Sequence, residues 1–240
     1  MQRNPVHKKK RLRYWLFIRI PFWLMVGCLA AVLLFKWVPV RYTPLMLQRS
    51  IAYRSDPTFH TQKVWVPIDS VSTEAIWVII LAEDTKFATH RGINFYNMEM
   101  ALERHRKEGA PLAGFSTISQ QTAKNVFTRG RRSYFRKAAE TGWMLLIEWI
   151  WGKRRILEVY LNVAEMGKGI YGIEAASQAY YHIPARDLNL DQAIAMATCL
   201  PYPLLKHPLD EPDAKRQDKA ATIKKQISRY TAYPFWLRQH

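Results

Sequence analysis

The sequence predicts a mostly α-helical domain attached to a single N-terminal transmembrane helix. Three observations predict it: an apolar run near the N-terminus, apolar residues at helical spacing from Ser72 onward, and little alternating strand pattern. Of the 240 residues, 49% are hydrophobic, which is enough for the core of one domain of about 200 residues. The two cysteines, Cys28 and Cys199, form no recognisable disulfide or metal-binding pattern.

The N-terminal segment has the charge pattern of a membrane anchor. Residues 1–13 contain six Lys or Arg and no acid, and 16 uncharged residues then separate Arg19 from Lys36. This run is slightly shorter than the roughly 20 residues that span a bilayer core, but both flanking cations can snorkel and extend it toward Val40. The leading cations predict a cytoplasmic N-terminus. A cleaved signal peptide is the alternative, although no small-x-small cleavage pattern follows the apolar run.

We therefore predict four regions: a basic cytoplasmic tail over 1–13, a transmembrane helix over 14–40, a juxtamembrane linker over 41–59 and an exterior domain over 60–240. Within the domain, Val64–Ile68 reads as a short extended piece, and Gly109 to Gly114 as a loop. The first helix of the domain is predicted to begin after Ser72 or Thr73, either of which could be its cap, and to end near Glu83 and Asp84. Further helices are predicted over 96–107, 117–127, 133–151, 153–162, 173–181, 191–200 and 214–230.

The helix that begins near Ser116 carries an unusual polar face. Thr117, Gln121 and Lys124 fall at i, i+4 and i+7 and so share one side of the helix. The backbone N–H groups at such a helix start favour an anion. The alternative interpretation is a solvated helix face without a specific ligand.

Positive charge is concentrated just after this helix. Arg131, Arg132, Arg136 and Lys137 would suit a diphosphate, for which Arg supplies a forked donor and Lys a point charge. The alternative is a simple i, i+4 ion pair between Arg136 and Glu140. The net charge of +17 points in the same direction, toward nucleic acid, a phospholipid surface or a phosphorylated substrate.

Carboxylates mark the end of the first predicted domain helix. Glu83 and Asp84 lie where the helix dipole disfavours negative charge, which hints at a functional use, although a loop salt bridge is the alternative. His90 alone would be a structural hydrogen-bonding residue. The glycine-rich block over 162–174 fits either a groove wall or a surface turn. No metal-binding or nucleotide-binding motif is present.

Taken together, five blocks in order resemble glycosyltransferase family 51. They are Glu83-Asp-x-x-Phe87-x-x-His90-x-Gly92, Gly114-x-Ser-Thr-Ile-Ser-Gln-Gln-x-x-Lys124-Asn125, Arg136-Lys-x-x-Glu140, Lys153-x-x-Ile-Leu-Glu-x-Tyr-Leu-Asn162, and Gly172-Ile-Glu-Ala-Ala176 with Leu200-Pro-x-Pro203. The resemblance covers about residues 60–208. Phe115 departs from the small residue that many members have there, a change that we expect to affect lipid contact and not the chemistry.

The resemblance implies a lysozyme-like helical fold with a membrane-facing lobe. It implies polymerisation of lipid II into β(1→4)-linked glycan strands, with inversion and release of undecaprenyl diphosphate. Because the sequence ends at His240, we expect no transpeptidase domain. The expected location is the bacterial inner membrane with the domain outside the cytoplasm. Expected partners are lipid II, the growing strand, membrane lipid and other cell-wall synthesis or division proteins, and not nucleic acid. We expect no required cofactor or metal, with stimulation by a divalent cation left open.

Matching positions to the family motifs also implies residue roles. Glu83 would be the general base, kept ionised by nearby cations, and Glu140 a second carboxylate that orients those cations or assists departure of the leaving group. Asp84 and His90 would support Glu83. The diphosphate would be held by Lys124, Arg132, Arg136 and Lys137, and sugars and phosphates would be positioned by Ser116, Thr117, Gln121 and Asn125.

Two rival functions remain open at this point. A lysozyme-like hydrolase also needs two carboxylates but does not need the cations of 124–137 or a membrane anchor. A tethered protein that binds anionic polymer through charge alone would not depend on Glu83.

Overall fold

The computed structural model describes residues 15–109, 111, 115–128, 133–230 and 234. The chain divides into two compact units, Met1–Val38 and Pro39–His240. In the first unit, helix α1 (Ile20–Trp37) follows one π-helical turn, Trp15–Arg19. The stretch Phe17–Trp37 has a mean hydropathy of 2.2, so this helix is long and apolar enough to cross a bilayer.

The second unit is mostly helical, which confirms the predicted fold class. Within the described residues of this unit, two 3₁₀ turns, Ile68–Ser70 and Ala185–Asp187, lie between longer helices. The helices are α2 (Pro44–Ala52), α3 (Thr73–Glu83), α4 (Phe95–Glu108), α5 (Ile118–Phe127), α6 (Tyr134–Ile150), α7 (Gly152–Val163), α8 (Ile173–Tyr181), α9 (Leu190–Cys199) and α10 (Ala214–Ile227).

Helix α5 lies at the centre of the unit. It packs against α6, α7 and α2, while α3 packs against α9 and α10. Apolar side chains at Ile76 and Ile79 of α3 and at Ile118 of α5 are almost completely buried. The α3 apolar face predicted from the sequence is therefore the core-facing one, and the last residue of α3 reaches the edge of the core.

A small three-stranded sheet was not predicted in this form. Strands β1 (Gln62–Lys63), β2 (Glu165–Gly167) and β3 (Ile170–Tyr171) pair in the order β1-β3-β2, with β1 parallel and β2 antiparallel to β3. The extended piece predicted at Val64–Ile68 follows β1 directly: residues 64–67 belong to no helix or strand, Pro67 has an extended backbone, and Ile68 begins a 3₁₀ turn.

The glycine-rich block over 162–174 forms this hairpin and is largely buried, so the surface-turn interpretation was wrong. Gly172 has a φ of 85°, and a Cβ there would lie 2.7 Å from the carbonyl oxygen of Asn162. Only glycine accommodates both that conformation and that contact, which lets α8 leave the sheet directly beside α7.

Two details of the helices also differ from the prediction. The N-cap of α5 is Thr117 and not Ser116, because Thr117 and Gln120 form a reciprocal capping box. Hydrophobic patterning predicts an apolar stripe on α6 at Ala139, Trp143, Leu146, Ile147 and Ile150. The buried positions are instead Glu140, Met144 and Ile147, so the core-facing side is rotated from that stripe. In addition, helix α2 lies within the segment 41–59 that we had predicted as a linker.

Candidate active site

Glu83 is the last residue of α3, and two other helices hold its carboxylate. Gln121 of α5 donates from Nε2 to Glu83 Oε2 at 2.9 Å, and Lys219 Nζ of α10 lies 3.2 Å from Glu83 Oε1. The Glu83 side chain is only 12% exposed. The carboxylate thus has a fixed position at the meeting point of three helices.

Asp84 and His90 organise the backbone next to Glu83. Asp84 Oδ2 lies 2.7 Å from His90 Nε2 and accepts the Ile118 backbone N–H at 3.1 Å. His90 Nδ1 accepts the Gly92 backbone N–H at 2.9 Å, so its Nε2 carries the proton that is donated to Asp84. Neither side chain contacts Glu83 in these hydrogen bonds. They fix the loop after α3 to the first turn of α5.

This arrangement corrects the expected anion site at the start of α5. The Ile118 N–H is bound by Asp84, and the Gln120 N–H is bound by Thr117 Oγ1. The protein's own carboxylate therefore occupies the positive end of the helix. Thr117 is buried and donates its hydroxyl to the Gly92 carbonyl at 2.6 Å, while Ser116 is exposed beside it.

The polar face of α5 lines an open cleft of about 500 Å³. Gln121, Lys124 and Asn125 contribute to its wall, as does Tyr160 of α7, whose hydroxyl donates to Gln121 Oε1 at 3.3 Å. Burial, and then the nearby Glu83 carboxylate, raise the pKa of Tyr160 well above its usual range, so its hydroxyl stays protonated. Gln121 connects this cleft to the Glu83 carboxylate.

The position of α5 is fixed from its other side by a buried polar network. Ser119 bonds to Glu148 of α6, and Lys153 of α7 pairs with the same Glu148 carboxylate at 2.6 Å. Lys153 also lies over the ring of Phe87, 4.6 Å from its centroid. Burial lowers the pKa of Lys153 despite this carboxylate. The network leaves the opposite, polar face of α5 directed to the cleft.

Glu140 is buried on α6 and lies at the other end of α5. Arg136 Nη1 lies 3.0 Å and Lys137 Nζ 3.8 Å from its carboxylate, and Thr128 Oγ1 donates to it at 3.4 Å. The simple ion pair that the sequence left as an alternative is therefore formed. Arg136 Nε is buried with no hydrogen-bond partner among the residues that the structure describes.

Helix α5 thus connects the two carboxylates. Glu83 is attached at Gln121 and Glu140 at Thr128, and seven residues of helix correspond to about 10 Å along its axis. Of the four predicted phosphate-binding cations, Lys124, Arg136 and Lys137 lie along or just after this helix. Arg132, with Arg129 and Arg131, lies outside the described residues.

The sequence reasoning missed four polar residues at this site. Lys219 of α10 contacts Glu83. Tyr160 contacts Gln121; it lies in the motif from Lys153 to Asn162, but the sequence analysis gave it no role. Arg49 of α2 also lines the cleft, together with Glu165. The basic character of 214–230 was a signal for Lys219, but nothing in a sequence identifies its partner 136 residues away.

Comparison with known proteins decides the family. A sequence model of the family described as Transglycosylase matches residues 50–228. The chain belongs to the transglycosylase family. Membership confirms the resemblance found in the five motifs, and with it the lysozyme-like helical fold and the class of enzyme, a glycosyltransferase.

Three relatives illustrate how far this similarity extends within the transglycosylase family. All are named biosynthetic peptidoglycan transglycosylase. One from Caulobacter vibrioides is 43% identical over 195 residues, covering 81% of this chain and 82% of the relative. One from Pasteurella multocida is 40% identical over 207 residues, covering 85% and 82%. One from Shigella boydii is 37% identical over 239 residues, covering 97% and 98%.

A metal site is not evident in the part of this transglycosylase that the structure describes. Within those ranges no group of three or more His, Cys, Asp or Glu side chains converges as metal coordination would require. The expectation that no metal or other cofactor is needed stays a prediction.

Proposed function

We propose that the chain is a peptidoglycan glycosyltransferase that polymerises lipid II into β(1→4)-linked glycan strands. The observation that carries this proposal is the connection between Glu83 and the cleft. Gln121 holds the Glu83 carboxylate at 2.9 Å and also lines the cleft together with Lys124 and Asn125. A nearly buried base beside a basic, open cleft suits an anionic substrate that is activated by proton removal. The relatives, which are named biosynthetic peptidoglycan transglycosylase, support peptidoglycan synthesis as the process.

In this mechanism Glu83 takes the proton from the 4-hydroxyl of the acceptor sugar. The hydroxyl oxygen attacks the anomeric carbon of the donor, and the bond from that carbon to the diphosphate oxygen breaks. The electron pair of that bond leaves with undecaprenyl diphosphate, and displacement from the opposite face converts the α linkage into a β(1→4) bond. Glu83 then passes its proton to solvent.

The leaving diphosphate needs positive charge where its own charge develops. Lys124 on the cleft wall, with Arg136 and Lys137 at the start of α6, would supply it, and Arg132 is proposed as a fourth cation. Glu140 pairs with both α6 cations and would keep their side chains oriented. Asp84, His90 and Thr117 would act by fixing the α3–α5 geometry, while Ser116, Gln121 and Asn125 would contact the substrate.

The surroundings of Glu140 favour a transferase over a retaining hydrolase. In retaining glycosidases one carboxylic acid protonates the glycosidic oxygen while the other carboxylate attacks the anomeric carbon, so both flank one bond at a separation of about 5 Å. Here Glu140 is instead paired with Arg136 and Lys137. The cations around Glu140 assign this end of α5 to phosphate in our proposal.

We further propose how the enzyme is arranged in the cell. The basic tail (1–13) would lie in the cytoplasm, the helix over 14–40 would cross the bacterial inner membrane, and the domain over 60–240, joined by 41–59, would lie outside. This topology places the cleft on the side where lipid II is polymerised. Membrane lipid and other cell-wall synthesis or division proteins are the expected partners, and not nucleic acid.

Incubation of the full-length protein with lipid II tests the proposal. Long glycan strands are expected from the wild type, whereas Glu83→Gln should lose nearly all polymerisation and still bind lipid II. Cleavage of preformed strands would instead indicate a hydrolase, and wild-type turnover by Glu83→Gln would reject the role of Glu83. Parallel reactions with a chelator are expected to form strands as well; a lower rate would show stimulation by a divalent cation, and complete loss of polymerisation would reveal a requirement for one.

A further inference from the structure

Arg49 and Glu165 form an ion pair on the cleft wall. Arg49 Nε donates to Glu165 Oε1 and Arg49 Nη2 to Glu165 Oε2, each at 2.8 Å. Arg49 lies on α2 and Glu165 begins β2, so the pair also fastens α2 to the sheet. Both residues line the same cleft as Gln121 and Lys124. Arg49 lies outside all five sequence motifs, so motif reading did not select it.

The pair is exposed to the cleft to a degree that leaves it able to bind a ligand. The Arg49 side chain is 27% exposed and that of Glu165 is 8% exposed. A guanidinium has five N–H donors, and a carboxylate can accept about four hydrogen bonds. Among the residues that the structure describes, Arg49 and Glu165 share two hydrogen bonds, and the Tyr171 hydroxyl also interacts with the Glu165 carboxylate. Within those residues the pair keeps N–H donors of Arg49 and acceptor capacity of Glu165 for a ligand.

Its chemistry differs from that of the α5 wall. A paired guanidinium and carboxylate have no net charge, whereas Lys124 adds positive charge to the same cleft. A diphosphate needs donors and positive charge, and a carboxylate beside it would be repulsive. Hydroxyl and acetamido groups need both donors and acceptors and carry no charge. The cleft thus has one wall suited to phosphate and another suited to uncharged sugar.

We propose that Arg49 and Glu165 bind the N-acetylhexosamine part of the substrate, through its hydroxyl and acetamido groups, and so separate sugar from phosphate within one cleft. The inference rests on the proposed function, since the substrate of that function contains both an N-acetylhexosamine and a diphosphate. Arg49 and Glu165 are then positioning residues for the sugar that reacts next to Glu83. Tyr202, which is 51% exposed and lines the same cleft, would give the sugar ring an aromatic contact.

Binding of two soluble probes to the full-length protein tests the inference. The probes are a phosphate-free β(1→4)-linked N-acetylglucosamine tetrasaccharide and inorganic diphosphate, each titrated by calorimetry. Arg49→Ala and Glu165→Gln should both weaken tetrasaccharide binding by about 10-fold or more, the loss expected for a hydrogen bond to a charged group. Their effects on diphosphate affinity should have opposite signs, with weaker binding for Arg49→Ala, which leaves the Glu165 carboxylate unpaired, and equal or tighter binding for Glu165→Gln. Lys124→Ala should weaken diphosphate binding and leave tetrasaccharide affinity within about twofold.

A second ion pair provides a matched control for a merely structural role. Lys168 Nζ lies 2.6 Å from Asp56 Oδ2 and also joins the β2–β3 hairpin to the segment after α2, but neither residue lines the cleft. Lys168→Ala should leave both affinities unchanged. With lipid II, Arg49→Ala should raise KM more than it lowers kcat. If Arg49→Ala and Glu165→Gln change only the melting temperature, as Lys168→Ala does, the inference is overturned.

The outcomes also separate this inference from the proposed function. A wild-type protein that polymerises lipid II, with tetrasaccharide binding that is absent or indifferent to Arg49 and Glu165, overturns the sugar site and leaves the function standing. A wild-type protein that forms no strands overturns the function, and the tetrasaccharide titrations then decide the sugar site independently.

Discussion

Lys219 Nζ lies 3.2 Å from Glu83 Oε1, which joins α10 to the last residue of α3. The same ammonium is 3.5 Å from the Ala197 carbonyl oxygen of α9. Lys219 of α10 therefore contacts both α3 and α9, and its positive charge lies next to the Glu83 carboxylate. On the other side of that carboxylate, Gln121 donates its own hydrogen bond. Because one cation and one amide hold it, the Glu83 carboxylate has a single orientation beside Gln121, which itself lines the cleft.

We predict that Lys219→Met lowers kcat for polymerisation by about 10- to 100-fold. The reason is that Glu83 loses a charge-assisted contact, which is typically worth about 1.5–3 kcal/mol, and with it its orientation. Lys219→Arg, which keeps the charge, should retain more activity than Lys219→Met. Rates of strand formation from lipid II measure the effect.

A lysine on the same helix controls for a general loss of charge. Lys224 of α10 pairs with Asp191 at 2.7 Å on an exposed surface. Lys224→Met should polymerise at the wild-type rate, since exposed pairs contribute at most about 1 kcal/mol to stability and Lys224 does not contact Glu83. Equal losses in Lys219→Met and Lys224→Met would contradict the specific role of Lys219.

A second prediction concerns the buried carboxylate at the start of α5. Asp84→Asn keeps an oxygen for the Ile118 N–H but removes the charge that faces His90 and the positive end of the helix. We expect the free energy of unfolding to fall by about 1–3 kcal/mol, measured by denaturant titration of the detergent-solubilised protein. Asp69→Asn, at a surface pair with Arg154, should change it by less than about 0.5 kcal/mol. If the two variants are equally stable, Asp84 does not carry the charge interaction that we assign to it.

Local signals predicted the helices well. The Ser72 cap of α3 and the Gly109 stop of α4 lie where the sequence placed them, because capping depends on a few adjacent residues. The polar face of α5 was also correct at Gln121 and Lys124, which line the cleft. Its first residue was not, because Ser116 and Thr117 are both good caps and only Gln120 distinguishes them.

Long-range contacts were beyond the reach of the sequence. The strands of two or three residues are too short for alternation to be visible, and β1 finds its partner more than 100 residues away. The rotation of the α6 stripe arises because Glu140, an acid, occupies a buried position and is compensated there by Arg136 and Lys137. Hydrophobic patterning assigns such a residue to the surface, and so it misses buried groups whose charge is used.

A third prediction tests how tightly the first motif loop is packed. Gly92 has a φ of 91°, and a Cβ at this position would lie 1.9 Å from Met144 Sδ of α6. Gly92→Ala should therefore cost about 2–5 kcal/mol of unfolding free energy, from backbone strain and from overpacking together. Gly142→Ala on the same helix as Met144 should instead be neutral or stabilising by up to about 1 kcal/mol, since nothing lies within 4 Å of its added Cβ. Thermal denaturation of both variants compares them, and a Gly92→Ala protein as stable as the wild type would show that the loop repacks freely.

The last prediction follows from Lys63 of β1, whose ammonium donates to the carbonyl oxygens of Val40 and Arg41. Burial lowers the pKa of Lys63 to about 8. The unfolded chain, with an ordinary lysine, then binds more protons than the folded chain between about pH 8 and 10, so the stability contributed by this group rises with pH across that window. The lysine is only half-buried, and after screening by solvent we expect its contribution to the free energy of unfolding to rise by about 1–2 kcal/mol.

Other groups titrate near the same pH range. Burial raises the pKa of Tyr180 and Tyr181 to about 12, which lowers stability as the pH rises above 10. The measurement is therefore the difference in unfolding free energy between wild type and Lys63→Met at pH 7.5 and at pH 9.5. The difference should shift in favour of the wild type at the higher pH, and a difference that does not change between the two would show that Lys63 titrates as an exposed lysine does.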